Sequence, residues 1–410
     1  MFETATPVSI DSAPPVPMVR ASGRPFDPPT ELGSTVAEHP VSRVRMPSGG
    51  TPWIVTGHAE QRALLSDPRV SVDHRLPGFP HWSEEFAAQT PHRTGSMFIA
   101  DPSRHARYRR MMAAPLTAQR VRAVRPVVQR LAEELLDAMV WCPAPADLVK
   151  DFAVPLPTLT ITELLGVPER DQEFFEHHAA IGVDRDATPD QHRESFTAQV
   201  DYLVELVRQR VAEPRADVLS ELARQVTAGR ATELEAAQLG LGLLVAGHET
   251  SANMIGLSVL ALLENPRQLA VLRNSQDPAT VANAAEELLR YLGVIHNGQH
   301  RIANADIRVG EVLIRAGEGI IIEFATANRD PRRFPDPATL DLTRPARGHH
   351  AFGFGRHECV GRQLARVELQ VVLGTIFQRI PTIHLAAPVH ELEFIDDGPA
   401  YGLYELPVAW

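Results

Sequence analysis

Hydrophobic positions recur at helical spacing through the middle of the chain. From Thr117 onward, the spacing of an amphipathic helix is met by Val121, Val124, Val128, Leu131, Leu135 and Met139. Prolines such as Pro168 and Pro266 mark breaks between the helices. Similar patterns predict helices over Leu159–Leu165, Asp171–Ile181, Gln191–Arg210, Val218–Gln225, Thr232–Leu263, Leu269–Arg273, Val281–Leu292 and Arg362–Arg379. The sequence therefore predicts a mainly α protein.

Short β-rich runs near both ends predict a smaller β-rich part. They lie at Val41–Met46, Pro52–Thr56, Ala305–Phe324, Thr382–Leu385, Glu391–Ile395 and Leu403–Val408. Within the third run, Ile307–Val309 and Val312–Ile314 flank Gly310-Glu311, which predicts a hairpin. We expect residues 26–410 to form a single domain after a flexible lead-in, residues 1–25.

One long segment, Asp73–Ile99, carries neither pattern and is interrupted by Pro77, Gly78, Pro80 and Pro91. A loop of this length in a compact enzyme is usually a lid or a binding segment, and a disordered insertion is the alternative.

The composition is that of an ordinary globular protein, with 44% hydrophobic and 22% charged residues. A formal net charge of −11 argues against general nucleic-acid binding. The two cysteines, Cys142 and Cys359, are too few for a disulfide framework. No apolar run reaches membrane-spanning length. We expect a cytoplasmic monomer with no membrane segment.

The most informative stretch runs from His349 to Gly361 and leads directly into the helix predicted at Arg362. It places Cys359 at a helix N-terminus, where free amides and the helix dipole favour a thiolate. Glycines before the cysteine permit a tight backbone, and Gly361 allows a flat ligand to approach. A shielded thiolate suits an iron that must split dioxygen. A buried free cysteine is the alternative, while a single thiol makes structural zinc unlikely.

The order Phe-Gly-x-Gly-x-His-x-Cys-x-Gly, from Phe352 to Gly361, is similar to the haem-binding loop of the cytochrome P450 family. The resemblance implies the cytochrome P450 fold and a haem b cofactor. It implies that Cys359 is the axial ligand of the haem iron, with Phe352, Gly353 and Gly361 beside the haem.

A second motif, Ala246-Gly247-His248-Glu249-Thr250, lies inside the predicted helix Thr232–Leu263. Gly247 weakens the helix, and the Thr250 hydroxyl can compete for the carbonyl of Ala246. Such a turn makes room for dioxygen, although a threonine within a helix is by itself usually only tolerated. The resemblance implies that Thr250 steers a proton, with Glu249 as the acid, and that Ala246 and Gly247 border the haem. Glutamate replaces the more frequent aspartate of the family.

Two further groups of residues take their roles from the same resemblance. The charges of Glu287 and Arg290 lie on one helical face, and the family buries this pair with an arginine at the position of Arg344. That role is structural. His105 and Arg109 also share a helical face and, with Arg301 and His349, match the positions that contact the haem propionates in the family.

Arginines near these positions form either a solvated face or a landing site for an acidic ferredoxin, which a ferredoxin reductase would serve. They are Arg104, Arg107, Arg110, Arg356, Arg362 and Arg366.

The resemblance implies a substrate pocket at positions that are chiefly apolar in this chain. They are Leu76, Phe79, Trp82, Met97, Leu243, Val294, Ile295 and Tyr401. Such a pocket favours a lipophilic small molecule: a macrolide, polyketide, terpenoid or sterol-like compound. His81, His296 and Asn297 could hold its oxygens. The expected activity is insertion of one oxygen atom from O2 into a C–H bond, with electrons from NAD(P)H. The alternatives are a peroxide-driven peroxygenase and a haem sensor without turnover.

Overall fold

The computed structural model describes residues 13–17, 19–20, 23–83, 102–183, 187–275, 277–396 and 398–410. Helices in these ranges are α1 Thr30–Glu38, α2 His58–Ser66, α3 Pro102–Ala113, α4 Ala118–Trp141, α5 Pro155–Leu165, α6 Gln172–Val183, α7 Pro189–Ala212, α8 Val218–Thr227, α9 Glu233–Leu263, α10 Pro266–Arg273, α11 Pro278–Leu292, α12 Phe324–Ala327 and α13 Arg362–Arg379. A π-helical turn, Val149–Ala153, precedes α5.

The strands are short and gather into four small sheets. They are β1 Val41–Arg43, β2 Trp53–Val55, β3 Val70–Ser71, β4 Ala146–Asp147, β5 Gln299–Ala303, β6 Ile307–Val309, β7 Val312–Ile314, β8 Gly319–Ile322, β9 His384–Leu385, β10 Phe394–Ile395, β11 Gly402–Leu403 and β12 Pro407–Ala409. The largest sheet has the order β1-β2-β8-β5-β3, in which β2 and β8 run parallel with Trp53 opposite Ile320.

Helix α9 runs through the main apolar core. Thr232 and Glu235 form a reciprocal capping box at its start, which satisfies amides that the first turn leaves without helical partners. Most of its side chains from Ser251 to Leu262 are buried on every side. A helix that is apolar all round is stable only inside a protein, so α9 is the element around which the other helices pack.

The mainly α fold with a smaller β-rich part is confirmed. The hairpin of β6 and β7 and the bounds of α13 agree with the sequence prediction. The sequence did not predict α1, α2 or β5. Strand β5 reads Gln-His-Arg-Ile-Ala, without alternating polarity, and it exists because both edges pair, with β3 and with β8.

The described part of the expected flexible lead-in is packed against the protein. Ala13 and Val16 are buried, and the Val16 amide donates a hydrogen bond to the carbonyl of Arg45 at 2.9 Å. Residues 13–17 and 20 therefore belong to the folded domain. Among the described residues, no helix is long and apolar enough to cross a membrane.

Candidate active site

The loop that presents Cys359 depends on two glycines in left-handed backbone conformations. Gly353 has φ +70° and Gly355 has φ +75°, values that side chains with a Cβ rarely adopt. A Cβ on Gly355 would also lie 2.4 Å from the carbonyl oxygen of Leu65. The loop closes where the Cys359 amide donates to the carbonyl of Phe352 at 2.8 Å. These contacts fix the sulfur at the entry to α13.

The Cys359 side chain has accessible surface although it lies deep within the protein, as a group that lines an internal space does. Burial raises the pKa of its thiol, and this effect outweighs the Gly361 amide and the charges of Arg109 and Arg362, which lower it. The amide at the helix start thus favours the thiolate, in the predicted direction, but burial opposes it more strongly. A bound metal cation would supply the missing stabilisation of the thiolate.

Cationic and donor side chains gather around this loop. The His105 and His357 rings are 4.1 Å apart, and Arg109 donates to the carbonyl of Glu358. Burial, followed by the effects of His105 and Arg301, lowers the pKa of His357 to about 3. Burial lowers the pKa of Arg301, which is 8% exposed, to about 10.

This cluster fits the haem predicted from the sequence. Among the described residues, no carboxylate lies close enough to alter the pKa of His105, His357 or Arg301. A buried guanidinium is costly without an anion, and the two propionates of haem are anions of the right kind. A single thiol beside them can be an axial ligand to iron. Cys359, His105, His357, Arg109 and Arg301 are the residues that would hold the group.

His349 does not fit the propionate role that we predicted for it. Its Nε2 lies 3.2 Å from a carboxylate oxygen of Glu286, and its Nδ1 accepts the amide of Ala351 at 3.1 Å. Both ring nitrogens are thus engaged within the protein. His357, which the sequence analysis did not select, stands beside His105 instead. Its place two residues before Cys359 in the motif was the available signal.

The predicted basic patch is smaller than its sequence suggests. Arg107 forms an ion pair with Glu235, and Arg366 forms one with Glu286. The Phe352 ring lies under the Arg366 guanidinium at 4.6 Å. Arg362 is half-buried and lies 3.5 Å from Glu358. The fully exposed members are Arg104, Arg110 and Arg356.

The predicted side-chain hydrogen bond of Thr250 is present, although the helix runs without a break through this turn. The Thr250 hydroxyl donates to the carbonyl of Ala246 at 2.7 Å. The next residue, Ser251, donates to a carboxylate oxygen of Glu368 on α13 at 3.0 Å. Cys359 and Thr250 therefore lie on two segments in contact. Gly247 has a different surrounding from the one predicted, because a Cβ there would meet Ile161 of α5 at 2.3 Å.

One face of α9 is open in the middle of the helix, before the fully buried run that begins at Ser251. Val245 is 50% exposed, while Gly242, Ala246 and Glu249 are half-buried. These positions are three or four residues apart and share a face. Burial raises the pKa of Glu249. Leu243, predicted to line the pocket, points instead into the main apolar core and is 7% exposed. Val245, and not Leu243, has the accessible position that we predicted for a pocket residue on this helix.

The predicted structural cluster around Glu287 is present and buried. Its carboxylate accepts two hydrogen bonds from Arg290, at 2.7 and 2.8 Å, and one from Arg344 at 3.2 Å. Arg290 also donates to the carbonyls of Asn328 and Pro337. The cluster ties α11 to the segment that leads to the cysteine loop.

Predicted pocket residues of the long loop divide into three groups. Leu76 and Phe79 are half-buried, and the Phe79 ring lies 5.0 Å from that of His81. Trp82 packs on the apolar cluster of the large sheet and lies 4.9 Å from the His300 ring. Trp82 is thus half-buried against that cluster. Met97 lies outside the described residues.

Val294 and Ile295 of the predicted pocket are half-buried where two segments pair, whereas Tyr401 is 2% exposed and belongs to the main apolar core, as Leu243 does. Ile295 bridges Ala400, and the Tyr401 amide donates to the carbonyl of Val294 at 2.8 Å. The side-chain nitrogens of His296 and Asn297 are engaged within the protein, whereas the buried Oδ1 of Asn297 has no hydrogen-bond partner among the described residues. Their side chains face the carbonyls of Asp396 and Gly398 and hold that turn together.

Comparison with known proteins agrees with this geometry. The family model described as "Cytochrome P450" matches residues 171–382. Cytochrome P450 CYP105Q4 of Mycobacterium marinum is 52% identical over 99% of this chain and 98% of its own. The crystal structure of GfsF, a cytochrome P450 of Streptomyces halstedii, has a TM-score of 0.93 and 48% identity over 97% of this chain and 100% of its own.

A third structure is the mycinamicin VIII C21 methyl hydroxylase MycCI of Micromonospora griseorubida, bound to mycinamicin VIII. Its TM-score is 0.84, with 36% identity over 93% of this chain and 96% of its own. The chain belongs to the cytochrome P450 family. It is a cytochrome P450 monooxygenase, a class of haem-iron enzymes.

Proposed function

We propose that this monooxygenase inserts one oxygen atom from O2 into a C–H bond of a lipophilic small molecule such as a macrolide, polyketide, terpenoid or sterol-like compound. Haem b, held by Cys359, would supply the iron that activates dioxygen. The observation that carries the proposal is the accessible Cys359 thiol together with the buried guanidinium of Arg301, whose pKa no carboxylate among the described residues raises.

Thr250 and Glu249 would relay the two protons that the reaction consumes with its two electrons. The Thr250 hydroxyl donates to the carbonyl of Ala246, and its oxygen can accept a proton from one side and pass one on. Burial raises the pKa of Glu249, so a larger fraction of its carboxyl carries a proton near neutral pH. The half-buried side chain lies on the same open helix face as Val245.

The proposed electron route runs from NAD(P)H through a ferredoxin reductase and a ferredoxin to a monomeric enzyme in the cytoplasm. Support comes from the exposed guanidiniums of Arg104, Arg110 and Arg356 near the cysteine loop. An acidic partner would be attracted to such a face, and salt would weaken its association.

Product formation should therefore depend on the electron donor. With ferredoxin, its reductase and NADPH, an added lipophilic substrate found by its shift of the haem Soret band should be oxidised. Hydrogen peroxide alone should support much less product. Equal turnover with peroxide would favour the peroxygenase alternative, and tight binding without any oxidation would favour the haem sensor.

Replacing Thr250 with alanine should divert electrons from product to peroxide. Substrate binding should persist, but a positioned proton donor contributes on the order of 10²-fold or more to such steps, so product per NADPH should fall at least ~10-fold. Peroxide release and product are measured together. Thr250→Ser keeps the hydroxyl and should retain most of the coupling. Unchanged coupling in Thr250→Ala would remove Thr250 from proton delivery.

Replacing Val245 with phenylalanine should narrow the substrate space in front of Cys359. Overpacking costs about 1–3 kcal/mol, so the affinity for large azoles should fall by roughly tenfold or more. The affinity for imidazole should change little. Affinities are read from the Soret shift. Val211→Phe is the matched control, because Val211 is 39% exposed on α7. Equal affinities in both variants would show that the open face of α9 does not line the pocket.

A further inference from the structure

Arg20 lies in the N-terminal segment but is buried at the far end of α11. One of its terminal nitrogens, Nη2, donates to the carbonyl of Gly293 at 2.6 Å, and Nη1 donates to Leu292 at 3.4 Å. The last carbonyls of a helix lack helical partners and carry its negative dipole end. Arg20 therefore caps α11 at the point where Gly293, with φ +60°, redirects the chain.

The segment that follows this helix end, residues 294–297, pairs with the Ala400–Tyr401 turn. Backbone hydrogen bonds between the two segments run from the His296 amide to the Pro399 carbonyl at 3.0 Å and from the Tyr401 amide to the Val294 carbonyl at 2.8 Å. The Arg20 guanidinium also lies 4.2 Å over the Tyr401 ring. One side chain thus contacts both members of the pair, the helix end through hydrogen bonds and the turn through its aromatic ring.

A buried carboxyl group helps to keep the charge of Arg20 in place. Glu323 faces it, and both line a small cavity with His296 and Asn297. Burial raises the pKa of Glu323 to about 7, an effect that the charge of Arg20 opposes. Desolvation of a guanidinium strengthens its attraction to carbonyls and ring faces, so these contacts are stronger than at a surface.

We infer that Arg20 is a positioning residue for substrate: by clamping the 294–297 segment to the Ala400–Tyr401 turn, it sets the place of one wall of the substrate pocket. The inference rests on the proposed function and on the predicted pocket residues Val294 and Ile295, which form that wall. Tyr401 is buried and contributes through its pairing with Val294. It gives the described part of the N-terminal segment, residues 13–17 and 19–20, a part in substrate selection. Arg20 touches neither the reacting atoms nor the cysteine loop.

The test compares the wild-type enzyme with Arg20→Gln, Arg20→Lys and a control, Arg24→Gln. Arg24 is a surface residue with a side chain that is 76% exposed. Hydrogen exchange at the amides of His296 and Tyr401 should speed up about tenfold in Arg20→Gln. Arg20→Lys keeps the positive charge but loses the planar guanidinium. Its amides of His296 and Tyr401 should therefore exchange at a rate between those of the wild type and Arg20→Gln. Arg24→Gln should match the wild type.

The second readout is the affinity for two probes that bind haem iron through nitrogen, measured by the Soret shift. Clotrimazole is bulky and reaches the pocket wall, whereas imidazole does not. Arg20→Gln should lower the affinity for clotrimazole about tenfold and the affinity for imidazole less than twofold. General destabilisation of the protein would not change the ratio of these two affinities. An unchanged ratio together with unchanged amide exchange would overturn the inference.

The two proposals can fail separately. If the wild type gave no Soret response to imidazole, the proposed function would fail, while amide exchange would still report on Arg20. If Arg20→Gln does not fold, Arg20→Lys carries both measurements, with an expected effect of severalfold.

Discussion

The Cys359→Ser variant is expected to lose monooxygenase activity completely, together with the strongly red-shifted Soret band of the reduced carbon monoxide complex. A thiolate donates electron density to iron in a way that a neutral hydroxyl does not, and this donation favours cleavage of the O–O bond. The measurements are the carbon monoxide difference spectrum and product formation with a ferredoxin system. The change is small in volume, so the loop held by Gly353 and Gly355 should persist.

Cys142→Ser provides the matched control. Cys142 is also a cysteine without a disulfide, but it is exposed at the end of α4. Its replacement should leave the spectrum and the activity unchanged. Retention of the thiolate band in Cys359→Ser, or its loss in Cys142→Ser, would mean that the axial ligand has been wrongly assigned.

The Glu287→Gln variant is expected to lose about 3–5 kcal/mol of stability, because it leaves the buried charge of Arg290 without its carboxylate. Both side chains of the Glu287–Arg290 pair are 0% exposed, and Arg344 shares the carboxylate. Glutamine preserves the size of the side chain but not its charge. Urea unfolding measures the effect, and haem content should fall because the cluster holds the segment before the cysteine loop.

An exposed ion pair provides the control, because the same Glu-to-Gln substitution there removes a carboxylate that is not buried. Glu134 and Arg130 lie one helical turn apart on α4, with side chains 58% and 54% exposed. Exposed pairs of this kind contribute little, so Glu134→Gln should change stability by less than about 1 kcal/mol. If the two variants unfolded at the same urea concentration, the Glu287 cluster could not be what locks the loop.

Local sequence was sufficient for the elements whose contacts are local. The cysteine loop could be predicted because its glycines and its helix are adjacent in the chain, and the Thr250 hydroxyl bonds a carbonyl only four residues away. The Glu287–Arg290 pair is likewise within one helical turn. In each case the geometry follows from spacing along the chain.

Predictions failed where the surroundings come from distant segments. Whether Leu243 or Val245 faces the open side of α9 depends on which neighbours bury each face, and both residues are equally apolar in the sequence. His349 and His357 are both histidines before Cys359, and only the position of Glu286 on α11 decides that His349 is engaged elsewhere. The pairing of Arg107 with Glu235 likewise joins residues far apart in sequence.

The parallel pairing of β2 with β8 has a consequence for the order in which the chain can mature. Strand β2, with Trp53, cannot pair with β8 until Ile320 has been synthesised. Closing so large a loop also has a high cost in conformational entropy. Until then the N-terminal hairpin presents an open strand edge, which is a risk for aggregation. Cys359 follows later still. Capture of the prosthetic group therefore belongs to the final stage of biosynthesis, and expression at lower temperature with a haem precursor should raise the yield of loaded protein.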